Sequence, residues 1–320
     1  MWKPQREVEV IAGTPPGGGL DRSARALAAA IETSRLLDVP IRVVNVGGDG
    51  GRKAWLHMEG RAGDAHALGI SSPNMRADYL IGVSKSDPDR FAPLAILYSE
   101  YIAFLVRTDS PIASGIDIVR RFADERGTFT VALSTSLGNS NHIAVAKVVR
   151  HAGSGAKSPI RVFDSAPDAL ADVLAGNSDV AAVTAASAVA DMEAGRLRAV
   201  ALSSPARLPR PYAGTPTWRE QSWRGRAVDC VVASWRGVSG PPRLAPEQIA
   251  FWRTVLSSAV RSGRWRSDRV RHFWTDMYLD GEALRDYLER ERVDMHEMLS
   301  QLGLIAEETT RDRVSHGDDA

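Results

Sequence analysis

The chain has 320 residues, 44% of them hydrophobic and 25% charged, a balance that places it among ordinary globular proteins with core enough for one large domain or two smaller ones. Its 40 basic and 39 acidic residues leave a formal charge of +1 at pH 7, so no global field draws it to nucleic acid. The single cysteine, Cys230, excludes an internal disulfide and any multi-cysteine metal site, and its apolar neighbours read as a strand with the thiol buried as a small hydrophobe.

Residues 8–11 read as a short buried strand. Pro15 and Pro16 end it, Gly17, Gly18 and Gly19 turn the chain, and Leu20, Ala24, Leu27, Ala28 and Ile31 then share one helical face over residues 20–35. Asp21 falls where a carboxylate caps a helix or favours its first turn. A strand, a glycine turn and a helix start together present free N–H groups and partial positive charge, which is a seat for an anion. The glycines fit neither the G-x-G-x-x-G spacing nor a P-loop. A second turn of the same kind, Gly47-Gly48-Asp49-Gly50-Gly51, follows a strand at residues 41–45 and precedes a helix at 52–60. If those strands are parallel neighbours, the two turns lie side by side outside the strands' carboxyl ends, where open α/β sheets hold ligands.

The alternation continues with strands at 67–71, 92–98 and 101–107, a helix at 116–123, a strand at 128–134 and a helix at 141–150. Strands at 160–163, 179–183 and 197–202 then interleave with helices at 168–175 and 186–194. This predicts two α/β units with parallel pairing. Proline-rich loops lead to a strand at 228–238. Two late helices, 246–262 and 281–302, have no strand predicted between them and are expected to pack back on the first unit. Residues 306–320 are polar and aperiodic and are expected to be a disordered tail. No run reaches the ~18 apolar residues of a bilayer span. The start, Met1 to Arg6, carries no apolar signal region; taken literally this predicts a cytoplasmic protein, and otherwise a mature chain that has lost a leader.

Several segments, in order, are familiar: Pro16-Gly17-Gly18-Gly19-Leu20-Asp21, Asn45-Val46-Gly47-Gly48, Arg90-Phe91-Ala92-Pro93-Leu94-Ala95, Ser134-Thr135-Ser136-Leu137-Gly138-Asn139-Ser140-Asn141-His142, Gly195-Arg196-Leu197-Arg198-Ala199 and Trp235-Arg236-Gly237-Val238-Ser239-Gly240-Pro241. From about residue 7 to residue 305 the series resembles the Bug-type, TctC-like receptors, periplasmic substrate-binding components of tripartite tricarboxylate transporters. The resemblance implies a type II periplasmic-binding-protein fold: two α/β domains joined by two crossover segments, near residues 101–107 and 228–234, with ligand between them. The expected division is 1–104 and 231–305 for one domain and 105–230 for the other. It also implies a small carboxylate ligand and membrane transporter subunits as partners; Asp164 leaves room for an amino-acid-like ligand, the histidines show no ligand-type spacing for a metal, no basic recognition helix points to nucleic acid, and no cofactor is expected.

A carboxylate needs donors. The candidates are Thr14, Pro16, Gly17, Gly18, Gly19 and Asp21 at the first turn, and Ser71, Ser72 and Asn74 after the strand at 67–71. From the second unit come Ser134, Thr135, Asn139, Ser140 and His142, then Phe163, Asp164, Thr184 and Ser187. Each hydroxyl could equally cap a helix. Asp21 is expected to tie down its loop, because its charge opposes that of an anion. Asp164 either caps the helix that follows it or pairs with an amino group of the ligand. Gly138-Asn139-Ser140-Asn141-His142 is not a nucleophile elbow, and an enzyme would have to rely on His142 and Asp164 as its acid–base pair. A cytoplasmic sensory module remains a third reading.

Overall fold

The computed structural model describes residues 2–124, 129–153 and 160–305; the expected tail at 306–320 lies outside them. The chain begins β1 (Val8–Ala12), α1 (Gly19–Thr33), β2 (Ile41–Asn45), α2 (Arg52–Glu59), β3 (Ala67–Ser71), α3 (Pro73–Leu80) and β4 (Ala92–Arg107). It continues α4 (Gly115–Ala123), β5 (Val131–Ser134), α5 (Ser140–Ala152), β6 (Ile160–Phe163), α6 (Ala166–Leu174), β7 (Val180–Thr184), α7 (Val189–Glu193) and β8 (Leu197–Leu202). A small hairpin of β9 (Ser222–Trp223) and β10 (Arg226–Ala227) precedes β11 (Ala233–Gly240), α8 (Pro246–Val260), α9 (Gly263–Arg271), β12 (Thr275–Asp280) and α10 (Gly281–Gln301).

The strands assemble in the order β2-β1-β3-β11-β4-β7-β5-β6, with β8 and β12 also paired to β4. β1 is parallel to β2 and to β3, as the side-by-side glycine turns require, and β5 is parallel to β6 and β7. The parallel rule fails at the centre, where β11, β12, β7 and β8 all run antiparallel to β4. β4 is the strand that joins the two halves. Its residues up to Tyr101 pair with β11 and β12, and those from Ile102 onward pair with β7 and β8.

Both halves bury apolar faces against this sheet. In the first, Ala24, Leu27, Ala28 and Ile31 of α1 are buried as their spacing predicts, in one core with Leu68 of β3 and three indoles, Trp252, Trp265 and Trp274. The Trp274 ring stacks on Tyr98 at 3.9 Å, and Trp252 Nε1 donates to the Ala65 carbonyl at 2.8 Å, so a buried indole leaves no orphan donor. In the second half, one face of the sheet packs Phe104, Val145 and Trp218, and the other packs Leu105, Leu170 and Tyr212. No helix of the described residues is long and apolar enough to cross a membrane.

Five expectations need correction. The strands at 92–98 and 101–107 are one 16-residue strand; Ser99 and Glu100 break the apolar run but stay buried in it. The strand expected from 228 begins at Ala233, because Val228 to Val232 enter the second core as irregular chain. Cys230 is therefore buried outside a strand, its thiol pushed up to about 12 by desolvation. The helix expected at 186–194 shrinks to Val189–Glu193, preceded by a single tight turn. Finally a strand, β12, does separate the late helices. Its sequence, Thr-Asp-Met-Tyr-Leu-Asp, lies on the sheet's edge and so lacks the apolar continuity that marked the others.

Candidate functional site

Five helices start at the carboxyl ends of parallel strands and aim those starts at one cleft between the halves. α1 follows β1, α2 follows β2 and α3 follows β3; α5 and α6 follow β5 and β6. The cleft is lined from the first half by Thr14, Gly18, Gly19, Leu20, Gly50, Gly51, Trp55, Ser72 and Asn74. From the second come Ser134, Thr135, Asn139, Ser140, Asn141, Ser165, Ala166, Thr184 and Ser187, and β11 adds Ser234 and Arg236. It encloses about 670 Å³, its open mouth included. The first N–H groups of each helix have no partner within the helix, and the aligned peptide dipoles add partial positive charge there. Several such starts around one space favour a small anion.

The first turn is built by Asp21. Its buried carboxylate accepts from the Gly17 N–H at 2.8 Å, Asn45 Nδ2 at 2.9 Å and Arg25 Nε at 3.0 Å. Burial alone would raise its pKa, but the bonds from Arg25, Asn45 and Gly17 prevail and hold it below the usual carboxylate range. Gly17 has φ +83°, and a Cβ on Gly18 would fall 2.6 Å from Thr14 Cβ, so neither position accepts a side chain as folded. The Gly17 N–H is spent on Asp21 and that of Gly18 on the Pro15 carbonyl at 3.0 Å. The N–H groups left for the cleft are those of Gly19 and Leu20, at the first positions of α1. Asp21 caps nothing: Gly18 stands at the N-cap.

The second turn is a knot of amides and hydroxyls. Asn139 caps α5 by accepting from the His142 N–H at 3.0 Å, and its amide donates to the Ser134 carbonyl at 2.6 Å and to Thr135 Oγ1 at 2.7 Å. Asn141 Nδ2 donates to Ser134 Oγ at 2.9 Å. Thr135 sits at φ +74°, a conformation that a β-branched residue holds only when its surroundings impose it. His142 is buried, and its Nδ1 accepts from the Gly138 N–H at 2.9 Å. Desolvation lowers its pKa, so it is a neutral brace for the turn. Ser72 and Ser140 line the cleft, and Thr184 Oγ1 lies 3.0 Å from Ser187 Oγ.

The halves meet directly across the mouth. Asn74 Nδ2 donates to Thr135 Oγ1 at 2.8 Å, and Arg22 Nη2 donates to Ser187 Oγ at 2.8 Å. Gly50, at φ +65°, approaches so closely that a Cβ there would lie 2.8 Å from the Thr135 carbonyl oxygen.

Of the residues predicted from sequence, Thr14, Gly18, Gly19, Ser72, Asn74, Ser134, Thr135, Asn139, Ser140, Thr184 and Ser187 come together on this lining. Pro16, Gly17, Asp21, Ser71, His142, Phe163 and Asp164 do not line it. Ser71 lines a separate cavity beside α10. Asp164 is exposed, and the cap of α6 expected from it is supplied by its neighbour Ser165, whose Oγ accepts from the Asp168 N–H at 3.4 Å. Sequence reasoning missed Leu20, Gly50, Gly51, Trp55, Asn141, Ser165, Ala166, Ser234 and Arg236. Gly50, Gly51 and Asn141 lay inside turns already singled out. Arg236 lay inside a segment singled out for its family likeness, but nothing in the sequence marked it as a cleft residue. Among the described residues, no group of three or more His, Cys, Asp or Glu side chains is placed to hold a metal ion.

Two α/β halves that share a long central strand and face each other over a polar cleft make up the periplasmic-binding-protein fold. The sequence profile of the TctC family, described as tripartite tricarboxylate transporter family receptor, matches residues 24–278, and the chain belongs to that family. No curated protein matches it in sequence. Among solved structures it is similar to a TctC solute-binding protein from Polaromonas without ligand (25% identity, TM-score 0.64, covering 93% of this chain and 99% of that one). It is also similar to MatC from Rhodopseudomonas palustris with bound malate (20%, TM-score 0.78, 92% and 99%) and to a second R. palustris protein with adipate (20%, TM-score 0.83, 95% and 99%).

Proposed function

We propose that the protein is an extracytoplasmic receptor that holds a small carboxylate in this cleft and delivers it to a tripartite-tricarboxylate-type membrane transporter. The observation that carries the reading is the convergence of five helix starts, from both halves, on one polar space. That arrangement binds negative charge without a metal and without a nucleophile. Membership of a receptor family agrees with it, as do the malate and adipate bound by two structural relatives.

In this reading the ligand meets the N–H groups at the starts of α1 and α5 and the hydroxyls of Ser72, Ser134 and Ser140. The expected division at 104 and 231 shifts slightly, to where β4 changes partners between Tyr101 and Ile102 and where β11 begins at Ala233, and the Asn74–Thr135 and Arg22–Ser187 bonds hold the two lobes together over the ligand by hinge closure. An enzymatic reading finds less support: neither His142 nor Asp164 lines the cleft, and the acceptor nitrogen of His142 is already engaged by Gly138. An amino-acid ligand paired to Asp164 is likewise weakened by that residue's exposure.

Titration calorimetry of the full chain against malate, succinate, adipate, citrate, aspartate and glutamate tests the proposal. Saturable binding of at least one, with a melting temperature that rises with ligand concentration, is expected. A folded protein indifferent to the whole series would overturn it.

A further inference from the structure

The cleft holds one nearly buried cation whose hydrogen-bonding capacity is not used up. Arg236, on β11, is 8% exposed and lines the cleft. A guanidinium carries five N–H hydrogens. Those of Nη1 go to Ser234 Oγ at 2.7 Å and to the Trp235 carbonyl at 2.9 Å, which fixes the plane of the group. Nη2 lies 2.7 Å from Glu100 Oε1. That contact is a charge pair without hydrogen-bond alignment, for Arg236 Nε and Glu100 Oε1 are both buried atoms that make no hydrogen bond. Nε is sealed inside the protein, so the donor that remains for the cleft is Nη2, held by Glu100 through charge alone.

Its position decides what it serves. Antiparallel pairing sets Ser234 opposite Glu100 and Arg236 opposite Tyr98, which places the ion pair where the two central strands cross from one half to the other. A Cβ built on Gly19 would lie 3.8 Å from Arg236 Nη2, so the guanidinium stands beside the free amides at the start of α1. A buried arginine with unmet donors is costly in isolation. The cost is offset when an anion entering the cleft completes the set.

We propose that Arg236 is the specificity-determining residue of the cleft: it receives a carboxylate of the ligand through Nη2, beside the first turn of α1, with Glu100 as the positioning residue that holds it there. The ligand class is accordingly a small dicarboxylate, one acid group on Arg236 and the other among the amides and hydroxyls of the α5 turn. This deepens the receptor reading and rests on it.

The test compares the wild type with Arg236→Gln and Arg236→Lys in titration calorimetry, using succinate and adipate against their uncharged diamides. Removal of a charge-assisted hydrogen bond is expected to weaken the diacids about tenfold to a hundredfold. Diamide binding should be unchanged, so the diacid preference collapses by the same factor. Arg236→Lys, which keeps the charge but not the planar fork, should recover part of it. Equal losses for diacid and diamide would mark a purely structural role and overturn the proposal, as would an unaltered preference in Arg236→Gln. Should Arg236→Gln fail to fold, nitrogen-15 spectra of the wild type decide. An arginine guanidinium N–H resonance that moves on adding diacid and is missing from Arg236→Lys supports the assignment, and no such resonance refutes it. A wild type that binds neither diacid nor any other carboxylate removes the receptor reading and this proposal together. Normal binding by Arg236→Gln removes this proposal alone.

Discussion

The two turns that face each other across the cleft do the same job by different chemistry. Each exposes the start of a helix, α1 in one half and α5 in the other. Residues 13–21 do it with glycines and one buried carboxylate: Gly17 adopts the left-handed conformation at no steric cost, and Asp21 gathers three donors behind the turn. Residues 134–142 do it with a neutral mesh in which a threonine holds the left-handed conformation and an asparagine ties it down. The comparison teaches where charge can be placed in an anion site. Asp21 is tolerable because its charge points away from the space and is met by Arg25 and Asn45. The second turn, which reaches further around the cleft, carries none.

The sharpest way to break the comparison is to remove the carboxylate. Asp21→Ala leaves the Gly17 N–H and one of the two Asn45 Nδ2 hydrogens without an acceptor, the other still reaching the Thr14 carbonyl, and removes the partner of Arg25, at an expected cost of about 2 kcal/mol, read as a shift in the denaturation midpoint. Asp21→Asn, which keeps the shape and one acceptor, should lose roughly half of that. Because the folded pKa is depressed, the stabilisation by Asp21 is present above the ordinary carboxylate value near 4 and is lost as pH falls through the lower, folded value. Asp21→Asn should therefore flatten the acid limb of the stability curve. An acid limb identical to that of the wild type would show that the charge contributes nothing.

The corresponding change in the second turn is of similar size. Asn139→Ala removes the cap of α5 and two bonds that restrain Thr135, for which about 2 kcal/mol is expected. Paired with Thr135→Gly, the loss should be partly recovered, since glycine relieves the left-handed strain of about 1 kcal/mol that Asn139 works against. A double variant no more stable than Asn139→Ala alone would mean the strain is absent.

The same contrast explains what could be read in the sequence. Three adjacent glycines between a β run and a helical period announce their turn, because only glycine meets that geometry cheaply. Thr135 announces nothing: its strained backbone is imposed by Asn139 and Asn74, one of them across the cleft. Arg236 was illegible for a related reason, since its partner Glu100, two positions along from the residue opposite it, is brought within reach only by strand pairing over more than a hundred residues of chain. Glu100 itself disguised the fold, because a charged residue amid an apolar run reads as a strand boundary. In the three-dimensional arrangement it is the middle of β4. Local periodicity thus gave the α/β units. The junction between them, and the charged pair at its centre, follow from tertiary pairing that no local pattern encodes.

His142 offers a finer probe. Burial depresses its folded pKa below the ordinary value near 6.5, and its Nδ1 must stay unprotonated to accept from Gly138. The stability it contributes is present above the unfolded value and is lost as pH falls through the folded one. His142→Gln should reduce the slope of stability below about pH 6.5 by up to one proton's worth, with a loss near 1 kcal/mol at neutral pH. An unchanged slope would place the responsible proton elsewhere.

The smallest effect is expected where the sequence suggested a large one. Asp164 precedes the prolyl start of α6 and reads as a cap or as a partner for an amino group, but it is exposed and absent from the cleft lining. Ser165 does the capping, one residue later, and its own backbone is extended as an N-cap requires. Asp164→Ala should change stability by less than about 0.5 kcal/mol and leave carboxylate affinity within twofold at physiological salt, where an exposed charge is largely screened. Ser165→Ala, by contrast, should cost about 1 kcal/mol and weaken binding through a frayed α6 start. Reversal of that order, with Asp164→Ala the more damaging in calorimetry, would mean that the acid swings into the cleft on ligand binding and would reinstate an amino-bearing ligand.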